Sequence, residues 1–256
     1  MIKAGFLKKQ REKSRSNQST TPFLRRLVFH TVDQVALEHY GADYAMKCAQ
    51  TAGAAQRLLS LLGVQSRLTL GAACFPKIAP DGRFLGWTGF WGDDHHIWLT
   101  TEFFEVADLS IARLHDHPET RGAEMPTPAI WWGYQQGWPP IIRYLEDTFI
   151  DRIALSCALE QASFEAFLEK VEVALLSILN EQSVSDIRFD SVLMNVDQLN
   201  ALTDANDRWA TAAYFVPAHN ITFPDWIVER EKELEYFISR NQRPPSRLSL
   251  REDLIR

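Results

Sequence analysis

A chain of 256 residues with 46% hydrophobic and 23% charged side chains can bury a sizeable core and has the balance of a soluble globular protein. No stretch approaches the ~18 apolar residues that cross a bilayer, and no apolar segment follows the basic N-terminus as in a secretory signal; a cytoplasmic protein without a membrane partner is expected. The formal charge of −6 is uneven: residues 1–26 hold eight Lys and Arg against one Glu, a net of +7, which leaves −13 for the remainder and disfavours a nucleic-acid enzyme.

In chain order, residues 1–26 are rich in Lys, Arg, Ser, Thr, Asn and Gln. Their apolar surface is too small to offset chain entropy, which predicts a disordered basic arm. Such an arm could dock on nucleic acid or an acidic partner. Residues 27–40 have a mixed helical period. Residues 43–62 are the clearest helix, with Asp43 as cap, an interior rich in Ala and Leu, and Gly63 at the stop position. Residues 64–74 read as a strand and 76–94 as a Gly- and Asp-rich connection. Residues 95–100 and 103–109 read as two strands around a tight turn.

Residues 118–140, with Pro118, Pro126, Pro128, Pro139, Pro140 and the tryptophans Trp131, Trp132 and Trp138, read as a loop. Residues 163–181 are an amphipathic helix whose stripe is Phe164, Phe167, Leu168, Val171, Leu175 and Leu179. Residues 188–199 and 209–216 look like strands and 226–240 like a charged helix. A helix followed by a short hairpin suits an α+β fold, an antiparallel sheet packed on a helix. The division expected is the arm 1–26, a single domain 27–242, and a tail 243–256 that Pro244-Pro245 introduces.

The three cysteines, Cys48, Cys74 and Cys157, include no CxxC pair, so neither a disulfide framework nor a zinc ribbon is expected. Cys48 stands out because a thiol near a helix N-terminus feels the positive end of the dipole, which favours the nucleophilic thiolate. In the hairpin, a turn centred on Glu102 pairs residues whose numbers add to 204. That register sets His96 opposite Asp108, and Trp98 opposite Val106, on one face. A carboxylate beside an imidazole fixes its tautomer and steadies the imidazolium, so this face would deliver a base and its orienter together. His95 is a rival base, but neighbouring strand residues point to opposite faces, and the register selects His96. Asp93, Asp94, His95, His96, Asp108, His115, Asp116 and His117 lack a metal-site spacing such as HExxH, so no metal and no cofactor is expected.

Cys48, the turn Gly63-Val64-Gln65-Ser66-Arg67, the strand glycine Gly71, the His96-Ile97-Trp98 strand and Asp108 together resemble the transglutaminase-like core of the papain-like superfamily. The resemblance covers roughly residues 43–110. It implies a papain-like fold with further C-terminal helices and strands, Cys48 as nucleophile, His96 as base and Asp108 as orienter. It also implies a cysteine-dependent hydrolase or acyltransferase acting on an amide or ester of a peptide, a protein or a small molecule. It does not choose between hydrolysis and transfer. No Gln precedes Cys48 within residues 41–47, so the oxyanion would rest on the Cys48 backbone N–H and the Tyr44 hydroxyl. Trp87, Trp91, Trp98, Trp131 and Trp132 are candidates for a substrate groove, or for plain core packing. A catalytically inactive binding module, and an interaction protein that docks through its basic arm, remain as alternatives.

Overall fold

The computed structural model of the protein describes residues 4–117, 122–127, 130–134, 141–181, 193–194 and 196–247. Its helices are α1 (Ala4–Asn17), α2 (Pro22–Tyr40), α3 (Cys48–Leu61), α4 (Ala158–Glu181), α5 (Val196–Asp204), α6 (Arg208–Ala218) and α7 (Asp225–Ser239). The strands are β1 (Ser66–Ile78), β2 (Phe84–Phe90), β3 (His96–Thr101), β4 (Glu105–Asp108), β5 (Ile130–Tyr134), β6 (Arg143–Ile150) and β7 (Leu193–Met194). The fold is α+β. One sheet runs in the order β2-β1-β3-β4-β5-β7, and β6 also pairs with β1. All pairs are antiparallel except β5 with β7.

β1 is the organising strand. Its C-terminal half pairs with β2, its N-terminal half with β3, and its middle with β6. Side chains alternate across the sheet. Leu68, Leu70, Ile97, Leu99, Ala107 and Trp132 meet the buried stripes of α2, α3 and α4. Ala73, Phe75, Trp98, Val106, Trp131 and Tyr144 form a second core with α5 and α6. The sheet curls enough that Tyr144 on β6 hydrogen-bonds Asp108 on β4, although β1 and β3 lie between those strands. Gly71 permits that closure, because a Cβ there would lie 2.2 Å from the Leu145 carbonyl oxygen and 2.5 Å from the Trp98 ring.

The N-terminal arm is ordered from residue 4, contrary to the disorder expected from its composition. Polar contacts hold it. Arg11 donates from Nε to the Leu62 carbonyl at 2.5 Å and from Nη2 to that of Leu61 at 2.9 Å, capping the C-terminus of α3 with a cation. Thr20 donates to the buried Glu105 carboxylate, and Thr21 caps α2 with Pro22 in its first turn. The start of the expected tail is also tied down: Arg243 reaches the Thr148 hydroxyl and Arg247 the Asp147 carboxylate.

Other expectations need correction. The helix expected over 43–62 is broken at Lys47, whose φ of −108° and ψ of 38° are not helical. Gly41–Met46 is a 3-10 turn containing Asp43, and the α-helix begins at Cys48. It ends as expected at Gly63, with Gly63 N–H bonded to Ser60 O and Val64 N–H to Leu59 O. The 76–94 connection contains β2, whose glycines hid it. Gly89 is required there, because a Cβ would lie 2.2 Å from the Ala73 carbonyl oxygen. The loop expected over 118–140 contains β5, and its Trp138 lies outside the described residues. Residues 209–216, expected as a strand, are helical: Asp207 caps α6 by accepting from Ala210 N–H, and Trp209, Ala210, Ala213 and Val216 are buried at helical spacing. Of the strand expected over 188–199, Leu193–Met194 is β7 and α5 begins at Val196; 188–192 and 195 lie outside the described residues.

Candidate active site

The hairpin that carries the site is β3–β4. Its register pairs Leu99 with Ala107 and Thr100 with Val106, so paired numbers add to 206 rather than the expected 204. The turn is centred one residue later than expected, on Phe103 rather than Glu102; within it Phe104 takes a left-handed conformation, φ +60°, and its N–H bonds to Thr101 O. A shift of two keeps every side chain on its face. His96 and Asp108 are therefore diagonal rather than directly opposite, within reach for two long polar side chains.

They do meet. His96 Nε2 and Asp108 Oδ2 are 2.6 Å apart, and each side chain is 1% exposed. The carboxylate is fully partnered: Oδ2 also accepts from the Tyr144 hydroxyl at 2.7 Å, and Oδ1 from the Ser110 N–H at 3.0 Å and its hydroxyl at 2.9 Å. Burial by itself would raise the Asp108 pKa, but His96, Tyr144 and Ser110 outweigh it and hold the carboxyl below its ordinary value. Burial by itself would lower the His96 pKa. The charge and hydrogen bond of Asp108, with a smaller contribution from Cys48, outweigh it and raise the imidazole to about 10. Phe90 on β2 stacks on the ring, centroids 4.6 Å apart and planes 4° from parallel, which shields one face from water.

The other ring nitrogen, His96 Nδ1, is buried and has no hydrogen-bond partner. Cys48 is half-buried and interacts with the same imidazole from the first turn of α3, which packs on β3. Its backbone N–H belongs to the four at a helix N-terminus that lack an intrahelical acceptor. The other cysteines differ. Cys74 is buried in the sheet, which pushes its thiol up to about 12, and Cys157 is exposed. Among the described residues, no group of three or more His, Cys, Asp or Glu side chains could hold a metal ion.

Protein-family models, curated proteins and solved structures, each compared with the chain, include none that matches it. The case for the site therefore rests on its geometry.

Two sequence expectations about the surroundings do not hold. The Tyr44 hydroxyl is not free for an oxyanion: it donates to Asp33 Oδ1 at 3.0 Å, in a half-buried cluster where Arg113 also bonds Asp33 at 2.9 Å. Burial and the Asp33 charge push the Tyr44 phenol pKa well above its ordinary value. Nor do the tryptophans form one groove. Trp98, Trp131 and Trp132 are at most 2% exposed and belong to the core. Trp87 stacks on Phe223 at 4.1 Å and donates to the Thr222 carbonyl, and Trp91 packs in the same small cluster beside α7. Three supporting residues were missed. Asp108-Leu109-Ser110 has the spacing of an Asx turn and was legible. Phe90 and Tyr144 reach the site only through sheet pairing and curl.

Proposed function

We propose that the protein is a cysteine-dependent hydrolase or acyltransferase acting on an amide or ester, with Cys48 as nucleophile, His96 as base and Asp108 as orienter. A papain-like, transglutaminase-like arrangement of α3 against the sheet is part of the same reading. The observation that carries it is a buried imidazole locked by a carboxylate on one nitrogen, left without a partner on the other, and in contact with a thiol at a helix N-terminus. Buried polar atoms are usually hydrogen-bonded, so a bare ring nitrogen beside a thiol supports this reading.

The chemistry follows from the geometry. The Cys48 sulfur attacks the carbonyl carbon of the substrate. The developing oxyanion accepts from the N–H groups that open α3, including that of Cys48. His96, protonated and held by Asp108, gives its proton to the leaving amine or alcohol as the carbon–nitrogen or carbon–oxygen bond breaks, leaving a thioester on Cys48. Water or a second nucleophile then attacks the thioester and gives its proton to His96, and the Cys48 sulfur leaves as the thiolate, which restores the starting pair. Tyr144 and Ser110 position Asp108 and take no proton.

Iodoacetamide labelling of the intact protein, read residue by residue by mass spectrometry, tests the reading. Exposed Cys157 serves as the ordinary thiol within the same chain, and buried Cys74 as the silent one. Cys48 should alkylate at least about tenfold faster than Cys157 at pH 6, and His96→Ala should remove that advantage. Equal rates at Cys48 and Cys157, unchanged by His96→Ala, would sink the enzyme reading.

A further inference from the structure

Asp33 on α2 joins the two segments that lead to the reacting groups. One is the 3-10 turn Gly41–Met46, which runs into Cys48; the other is the 3-10 turn Ile111–Asp116, which follows Asp108-Leu109-Ser110. Asp33 Oδ1 accepts from the Tyr44 hydroxyl at 3.0 Å and from Arg113 Nη2 at 2.9 Å. Its Oδ2 accepts from the same Nη2 at 3.1 Å. The Arg113 guanidinium lies over the Tyr44 ring, 5.2 Å from the centroid, and also pairs with Asp116 at 3.7 Å within its own turn.

Each side of this contact continues through the backbone to the site. The Tyr44 carbonyl accepts from the Lys47 N–H at 3.0 Å, and Lys47 is the non-helical residue before Cys48. On the other side the Arg113 N–H donates to the Ser110 carbonyl at 2.9 Å, and the Ser110 N–H and hydroxyl hold Asp108 Oδ1. Asp108 holds His96, and His96 interacts with Cys48. The path from Cys48 through Asp33 to His96 thus closes into a ring. Every link in it is a hydrogen bond, a short run of backbone, or the thiol–imidazole interaction itself. Packing alone would be served by a phenylalanine at 44, because the Tyr44 ring is part of the main core, as are Val32, Val35 and Ala36 beside Asp33. The polar atoms add a fixed direction and distance that apolar packing lacks.

We infer that Asp33, Tyr44 and Arg113 are positioning residues that set the spacing between the Cys48 sulfur and the His96 imidazole. This rests on the proposed function. The three residues act through the turns on either side and are no part of the triad. The attraction that favours a thiolate falls with its distance from the imidazolium, and a misplacement of about 1 Å can cost about 100-fold in rate. Loosening the link at Asp33 lets the nucleophile and the base drift apart while the core of the fold persists.

The test follows iodoacetamide alkylation of Cys48 against pH in the full chain, with Cys157 as the internal reference. Asp33→Ala should slow Cys48 at about pH 6 by about fivefold or more and move the midpoint of its pH profile up by about one unit, with Cys157 unchanged. Tyr44→Phe keeps the ring in the core and should slow Cys48 about two- to threefold. Added to Asp33→Ala it should change nothing further, because both break the same link. Asp33→Asn should recover most of the rate, since a single oxygen, Oδ1, accepts from both Tyr44 and Arg113. A residue that only stabilised the fold would leave the profile in place, and Arg11→Ala, at the far end of α3, is the control for that. If Cys48 outpaces Cys157 in the wild type, and folded Asp33→Ala and Tyr44→Phe keep the same rate and midpoint, this inference is overturned and the proposed function stands. If Cys48 is no faster than Cys157 in the wild type, both are overturned.

Discussion

β4 is four residues long and holds two fully buried carboxylates with different cationic partners. Glu105 accepts from the Arg25 guanidinium at 2.5 Å, from the N–H and hydroxyl of Thr20, and from the Thr101 hydroxyl, fastening α1 and α2 to the sheet. Asp108, three residues on, is equally well partnered, but its cation is an imidazole. Arginine keeps its proton at any pH a protein meets, so the Arg25–Glu105 pair can only hold. Imidazole can give up and regain a proton, and His96 has one ring nitrogen that makes no geometric hydrogen bond while Cys48 interacts with the ring. Burial and hydrogen-bond count do not separate a structural pair from a chemical one. On the proposed function, the titratable partner beside a thiol does.

Substitution should separate the two pairs. Glu105→Ala strands the Arg25 charge and the Thr20 donors in the core, and should cost about 3–5 kcal/mol in denaturant unfolding. The molecules that remain folded should still alkylate at Cys48 at the wild-type rate; if their rate collapses with stability, the division of labour is wrong.

Asp108→Asn should do the reverse. Alkylation at Cys48 should slow by about tenfold or more, because the amide neither stabilises the imidazolium nor enforces its orientation, while the fold persists. The stability difference between wild type and this variant should also depend on pH. His96 has a folded-state pKa raised from 6.5 to about 10, so its contribution is complete below about 6.5 and is lost as pH rises through about 10. Asp108 has a folded-state pKa lowered from 3.8, so its contribution is present above about 3.8 and is lost as pH falls through the lower folded value. The gap should be widest between about pH 4 and 6.5 and narrow above it. A gap that stays constant from about pH 6 to 11 rules out a charged His96–Asp108 pair.

Tyr144→Phe removes one of the hydrogen bonds to Asp108 Oδ2 and leaves the ring packing on Phe75 and Trp98 intact. A loss of about 1–2 kcal/mol in thermal or chemical unfolding is expected, with a few-fold slower alkylation. No change in either would mean that Ser110 and His96 suffice to hold the carboxylate. The smallest effect belongs to the arm. Arg11→Ala uncaps the C-terminus of α3 and should cost about 1 kcal/mol, without touching Cys48 at the opposite end of that helix.

Much of the site was legible because it depends on local rules. A helix stop at Gly63, a strand after it, and two strands around a short turn follow from turn chemistry and alternation. The face shared by His96 and Asp108 survives a register error of two, because side-chain direction has a period of two. What failed depended on distant partners. α1 looked disordered because Arg11 and Thr20 find their acceptors 51 and 85 residues away. α6 lies where a strand is expected, although Asp207 and the spacing of Trp209, Ala210, Ala213 and Val216 carry a local helix signal.

The sequence by itself therefore determined an α+β chain, the helix end at Gly63, and a hairpin that presents an imidazole and a carboxylate on one face. Tertiary structure decided the rest. The break at Lys47, beside the Asp33–Arg113–Tyr44 cluster, starts α3 at Cys48 instead of Asp43. The curl of the sheet, possible because Gly71 has no side chain, brings Tyr144 to Asp108, and the β1–β2 pairing lays Phe90 over His96. Those contacts form only when strands far apart in sequence close on one another, and no local pattern of residue types encodes that closure.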